Sequence, residues 1–309
     1  MKVLYTLPLE EEQKKRLEEL GYTVFTAKDS GPFSEEALSS DVLVTFNAFM
    51  HLDIANMPHL KLIQVGTTGL NQIPLSAVDR GIAVTNNPYG FSLPIGEWIV
   101  TKVLESYKNT RQVYQQQRDH VWKMDTTIDE INGKKALFIG TGGIAREGAK
   151  RLAPFGVEIT GVNRSGKPNE HFPTVISMAE LPEKINEFDI VAVVLPGTME
   201  TYKLVNRELI ENMKDGSVFI NISRGSVVEQ DALQELAGKF RALHLDVFEE
   251  EPLPENHPFW DMENVYVSSH TSWASSRVNE RRFENNFENL KAFIKGEKLP
   301  SQVDLLRGY

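Results

Sequence analysis

The 309-residue chain is 41% hydrophobic and 25% charged, the make-up of an ordinary globular protein long enough for two domains with a sizeable core. A net charge of -10, with its Lys and Arg scattered among glutamates, excludes the concentrated basic surface that nucleic acid requires. The absence of cysteine excludes disulfides, thiolate nucleophiles and Cys-ligated metals, and no apolar run approaches membrane-spanning length.

The opening MKVLYTLPLEEEQ carries no signal-peptide pattern, so a cytoplasmic protein without metal or membrane contact is expected. Five short apolar runs then follow: KVLYTL (2–7), YTVFTA (22–27), DVLVTF (41–46), LKLIQV (60–65) and IAVTNN (82–87). Their starts lie 20, 19, 19 and 22 residues apart, which suits strand, loop, helix and loop in a parallel sheet. Gly21 stands where a helix C-cap belongs, and Ser34 where an N-cap belongs before EEALSS. From Ser92 to about His120 the apolar residues fall at helical spacing, predicting one long helix, and Asn132-Gly133 marks a turn.

A second alternation begins at KKALFIG (134–140), with further strands at VEITGV (157–162), DIVAVVL (189–195), SVFINI (217–222), ALHLDV (242–247) and VYVSS (265–269). Helices are expected over NRELIENM (206–213), over QDALQELAGK (230–239), and from beyond Trp273 to about Lys295.

Gly140-Thr141-Gly142-Gly143-Ile144-Ala145 follows a strand-like run directly and opens a helix-like one. In that context the pattern reads as a dinucleotide-binding turn, with the pyrophosphate resting on free N–H groups at the positive end of the helix. A Gly-rich turn needed only for packing is the plainer alternative. Asn163 lies 18 positions beyond Ala145, where a ribose-binding acid is usual. Nothing there repels a phosphate on the ribose, and Arg164 and Ser165 can donate to one. Charge-assisted hydrogen bonds of about 1.5–3 kcal/mol each then favour NADP(H) over NAD(H), with NAD(H) still admitted.

Three later segments each place a reactive side chain just after a strand: NISRGSVV (221–228), LDVFEEEPLP (245–254) and VYVSSHTSWAS (265–275). Singly, Arg224 reads as a loop arginine, Glu251 as one of an acidic run, and His270 as a polar strand end. Together and in this order, after the Gly-rich turn, they resemble the D-2-hydroxyacid dehydrogenase family. VGTTGLNQI (65–73) is similar to that family's substrate loop and KGEKLPSQV (295–303) to its C-terminal return. The chain departs from the commoner pattern at Ala145, at Thr67-Thr68, at Asn71 and at Thr271-Ser272-Trp273, positions that bear mainly on substrate recognition.

The resemblance implies Arg224, Glu251 and His270 as catalytic residues. Arg224 would hold a 2-keto acid and polarise its carbonyl, His270 would supply the proton as hydride arrives, and Glu251 would orient and charge the imidazole. It implies that N–H groups around Thr67, Thr68 and Gly69 bind the substrate carboxylate. It also implies that Thr141, Gly143, Ile144, Leu195, Pro196, Ile222 and Asp246 line the cofactor site, although Asp246 also reads as a strand-end cap. Phe46, Asn47, Met50 and Trp273 are candidates for the substrate side-chain pocket.

The expectation is an α/β protein of two domains with parallel sheets. Residues 1–90, completed by 284–309, form a flavodoxin-like substrate domain, and 91–283 form a Rossmann domain. The family places its active site in the cleft between them and dimerises through the region matching 92–120. The activity implied is NADPH-dependent reduction of a small 2-keto acid to a D-2-hydroxy acid. Alternatives are a non-catalytic nucleotide-sensing scaffold like the family's corepressor branch, and a phosphoglycerate dehydrogenase. A formate dehydrogenase is disfavoured, since that branch carries glutamine where Glu251 stands.

Overall fold

In the computed structural model, which describes residues 1–306, all five early runs become strands: β1 (Lys2–Tyr5), β2 (Thr23–Thr26), β3 (Val42–Thr45), β4 (Leu62–Val65) and β5 (Ala83–Thr85). Between them lie α1 (Glu11–Glu19), α2 (Glu35–Leu38) and α3 (Ser76–Asp79). The strands pair in parallel in the order β2-β1-β3-β4-β5, the flavodoxin-like arrangement. Strands β3 and β4 are buried at every position because both faces of the sheet are covered, which is why their sequences are continuous rather than alternating apolar runs. Leu4, Leu43, Ile63 and Val84 pack on one face. Val3, Tyr5, Val44 and Leu62 pack on the other, against Phe283 and Leu290 of the C-terminal helix (Val278–Lys295). Ser34 caps α2 through a bond from the Ala37 N–H, and Gly21 follows α1 in the left-handed region at φ 98°.

Met1–Phe91 and the chain from Ser275 onward make up this first unit, and Ser92–Ala274 makes up the second. The return therefore falls between 274 and 275, ahead of the expected 283/284. The reason is that the whole C-terminal helix, including Phe283, buries its apolar face in the first unit.

The second unit begins with a helix that differs from expectation. The predicted single helix over 92–120 is two: α4 (Ser92–Tyr107) and α5 (Thr110–Arg118). Asn109 breaks it in the left-handed conformation, φ 47°, a region that asparagine enters more readily than most residues. Its amide is held there by Asp125 and Thr127, at 2.8 and 2.7 Å. Strands β6 (Lys135–Ile139), β7 (Glu158–Asn163), β8 (Thr174–Ser177), β9 (Ile190–Val193), β10 (Val218–Asn221), β11 (Ala242–Leu245) and β12 (Val265–Val267) follow. All pair in parallel in the order β12-β11-β10-β9-β6-β7-β8, a doubly wound sheet whose order reverses between β6 and β9. Strand β8 was not anticipated: TVIS is a short, largely half-exposed edge strand with little apolar pattern to announce it. Helices α6 (Gly143–Leu152), α7 (Leu181–Lys184), α8 (Arg207–Asn212) and α9 (Gln230–Glu235) connect these strands. Among the described residues no helix is long and apolar enough to cross a membrane.

One polar contact fastens α4 to this sheet. His244 of β11 is fully buried and shares a 2.7 Å hydrogen bond with the Ser106 hydroxyl, while its ring stacks on Tyr266 at 4.5 Å. Burial pushes the imidazole down to about 3, with Lys102 adding to the effect. The native state therefore binds less proton than the unfolded chain, whose histidine titrates near 6.5. The stability His244 contributes is complete above that value and is lost as pH falls towards 3, by about 1.4 kcal/mol per pH unit. Urea midpoints measured between about pH 7.5 and 5 should fall for the native chain, and His244→Gln should flatten that dependence.

Candidate active site

The expected nucleotide turn is built at the carboxyl end of β6. Gly140 sits at φ 109°, and a Cβ there would lie 2.2 Å from the Val194 carbonyl oxygen, so the turn accepts only glycine. Gly142 precedes α6 with no side-chain cap, and a Cβ added to it would meet nothing within 4 Å. The first-turn N–H groups of α6 thus face an open approach, which fits a pyrophosphate. Ala145 is fully buried in α6, where a small residue is needed for helix–sheet packing.

Asn163 ends β7 and folds its own loop: its amide oxygen accepts from the Ser165 N–H and hydroxyl at 3.1 and 3.2 Å, and its amide nitrogen donates to the Lys167 carbonyl at 3.1 Å. Arg164 is exposed and ion-paired with Glu200, a residue that sequence reasoning missed. Leu195 follows β9 half-buried and Pro196 exposed, and Ile222 is buried just after β10.

Arg224 leaves the end of β10 in extended conformation and donates through Nη1 to the Ser223 carbonyl at 2.7 Å. Burial lowers its pKa, and the nearby Glu251 carboxylate opposes that shift. Gly225 explains why the two sequence segments travel together. A Cβ on it would lie 1.9 Å from the Phe248 carbonyl carbon and 2.2 Å from the Glu249 nitrogen, so the turn after β10 is seated directly on the turn after β11.

From that second turn Glu251 reaches His270. Its Oε2 is 2.8 Å from Nδ1, and its Oε1 accepts from the Phe248 N–H at 3.0 Å. With Nδ1 engaged, Nε2 is left without a hydrogen-bond partner among the described residues, available to a reacting group. His270 itself sits at φ 52°, a left-handed conformation uncommon for a residue with a side chain.

Asp246 holds that conformation in place. Its carboxylate accepts from the Ser268 hydroxyl at 2.6 Å, the Thr271 N–H at 2.9 Å and the Ser272 N–H at 3.1 Å, and its carbonyl accepts from the His270 N–H at 2.9 Å. Both oxygens of a buried carboxylate are thus committed to the histidine loop, as in the strand-end alternative for this residue. The Glu251–His270 pair also walls a cavity of about 390 Å3, lined further by Phe248, Leu253, Trp260 and Val267.

In the first unit, the loop after β4 carries Thr67, Thr68 and Gly69. Their carbonyls are taken, respectively, by the Asn87 N–H, the Asn86 amide and the Thr67 hydroxyl, at 2.9, 2.9 and 2.8 Å. Their own N–H groups have no acceptor among the described residues. The asparagines and Gln72, which bridges the Thr67 hydroxyl to the Phe46 carbonyl, were missed because polar residues that brace a loop carry no motif.

The description "D-isomer specific 2-hydroxyacid dehydrogenase, NAD binding domain" matches residues 100–272, more than half of the sequence. The chain belongs to this family. A glyoxylate reductase of Thermofilum pendens is 32% identical over 257 residues, 80% of this chain and 76% of its own. A D-3-phosphoglycerate dehydrogenase of Methanocaldococcus jannaschii is 29% identical over 99% of this chain but only 60% of its own. An uncharacterized Corynebacterium melassecola protein, 33% identical over 180 residues, is likewise spanned over 59% of its length. A crystal structure of a D-isomer specific 2-hydroxyacid dehydrogenase from Xanthobacter autotrophicus, in complex with NADPH and MES, superposes with a TM-score of 0.82. It is 26% identical, covering 100% of this chain and 99% of that one.

For this family member, the seating of Gly225 on Phe248 yields a direct expectation. Gly225→Ala must displace backbone, and overpacking of that kind costs about 1–3 kcal/mol or more. Thermal unfolding should show a midpoint several degrees lower, whereas Gly238→Ala, whose Cβ would meet nothing within 4 Å, serves as the matched control.

Proposed function

We propose that the protein reduces a small 2-keto acid to the corresponding D-2-hydroxy acid, with NADPH preferred over NADH. The observation that carries this reading is the 2.8 Å bond between Glu251 Oε2 and His270 Nδ1, which leaves Nε2 free to act. Reduced coenzyme, which the Gly140–Ala145 turn would hold, would supply the hydride for the carbonyl carbon. His270 Nε2 gives its proton to the carbonyl oxygen, where the negative charge develops, and Glu251 stabilises the imidazolium from the other side. Arg224 presents a planar set of donors to the acid and its carbonyl. The free N–H groups of Thr67, Thr68 and Gly69 suit the substrate carboxylate.

The names of the T. pendens relative, a glyoxylate reductase, and of the X. autotrophicus complex with NADPH support the substrate class and the coenzyme. A phosphoglycerate dehydrogenase activity is the second reading, favoured by the M. jannaschii relative that matches 99% of this chain. The exposed apolar side chains of Val113, Tyr114, Val121, Trp122 and Met124 support a homodimer built on the α5 region.

A panel of 2-keto acids assayed with both coenzymes tests the activity. His270→Ala should lower turnover by about 10²–10⁴-fold while NADPH still binds in a fluorescence titration; turnover close to that of the native chain would remove the proton donor from the scheme. Arg164→Ala should raise the KM for NADPH about tenfold with little change for NADH. Equal effects on the two coenzymes would end the assignment of Arg164 to the ribose phosphate.

A further inference from the structure

Arg282 lies in the C-terminal helix and is 4% exposed, yet it has no acidic partner among the described residues. Its guanidinium lies over two rings, 4.2 Å from the Phe46 centroid and 5.6 Å from that of Phe91. Its Nε is buried without a hydrogen-bond partner, and none of its side-chain nitrogens donates to any described residue. Desolvation lowers its pKa, as expected for a cation that nothing nearby neutralises.

The surroundings give this orphan a place. Phe46 immediately follows β3, and Gly66, which follows β4, would bring a Cβ within 3.2 Å of Arg282 Cδ and 2.7 Å of Leu7 Cδ1. Leu7 lies just beyond β1 and Phe91 beyond β5, so the guanidinium occupies the carboxyl edge of the first sheet, where open α/β sheets hold ligands. The substrate loop begins at the very next residue, Thr67. Asn87 ties the two together, donating its N–H to the Thr67 carbonyl at 2.9 Å and its amide to the Arg282 carbonyl at 3.1 Å. A buried guanidinium left without an acceptor is costly, and its planar set of donors suits a carboxylate or phosphate.

We propose that Arg282 is a specificity-determining residue that binds a second anionic group, carboxylate or phosphate, at the far end of the 2-keto acid. This rests on the keto-acid reductase reading and narrows its substrate class to doubly anionic acids.

The test compares two substrate pairs with NADPH: 2-oxoglutarate against 2-oxopentanoate, and 3-phosphooxypyruvate against hydroxypyruvate. The native chain should favour the anion-tailed member of one pair by about tenfold or more in kcat/KM, and which pair it is distinguishes carboxylate from phosphate. In Arg282→Met that ratio should collapse towards one. In Arg282→Lys, which keeps the charge but loses the planar fork, it should shrink less; this variant decides the matter if the methionine form does not fold. Turnover of the neutral acids with no preference in either pair, or a ratio unchanged by substitution, overturns the subsite and leaves the reductase reading standing. If no keto acid is reduced at all, calorimetry with redox-inert glutarate and 2-phosphoglycolate separates the two ideas. Binding by the native chain that is lost in Arg282→Met upholds the subsite without the reductase, and no Arg282-dependent binding refutes it.

Discussion

Three donors from a single loop converge on the Asp246 carboxylate, and the histidine loop of the second unit depends on that convergence. A carboxylate buried at the end of β11 needs partners, and the residues after β12 supply them with two N–H groups and a hydroxyl. The same bonds hold His270 in a left-handed backbone conformation that a free loop would seldom adopt. From there its Nδ1 meets Glu251, itself anchored by the Phe248 N–H, in a turn on which Gly225 and therefore Arg224 are seated. Reactive groups from three strand ends are thus fixed by backbone contacts rather than by long flexible side chains, the kind of support that precise orientation requires.

Much of this architecture was legible in the sequence because it rests on short-range rules. Strands buried on both faces, such as β3, β4, β9 and β10, give continuous apolar runs, and among the described residues eleven of the twelve strands fall on a short run rich in apolar residues. Gly140 and Gly225 were visible as motif positions because no other residue fits the backbone approach each one makes. What stayed hidden has a common cause. The break at Asn109 depends on Asp125 and Thr127, which are distant in sequence, and β8 is an edge strand with too few apolar residues to show a period. Glu200, Asn87 and Arg282 belong to no motif; only folding brings them beside Arg164, Thr67 and Phe46. Asp246 was legible both as a residue of the cofactor region and as a strand-end cap, and the bonds it makes belong to the histidine loop.

Each unit obeys one geometric rule separately. In the first, the loop carrying Thr67, Thr68 and Gly69 gathers with Arg282 where β1, β3, β4 and β5 end; in the second, the Gly-rich turn, Arg224, Glu251 and His270 follow β6, β10, β11 and β12. Parallel strands all terminate on the same edge, so every loop of that edge can contribute a side chain without disturbing the packed layers beneath it. Changes such as Thr67-Thr68 and Thr271-Ser272-Trp273 sit in those loops, and the two sheets keep their order and register regardless.

The pairing of Arg164 with Glu200 has a consequence for how the protein responds to its medium. Both side chains stand in solvent, and the arginine already has an anion of its own. Any discrimination between coenzymes routed through Arg164 is therefore an exchange of one exposed counter-ion for another, screened over a Debye length of about 8 Å at physiological ionic strength. The buried hydrogen bonds around Asp246 are screened far less. If the coenzyme preference proposed above runs through Arg164, added electrolyte should blunt it before it loosens the buried network around Asp246.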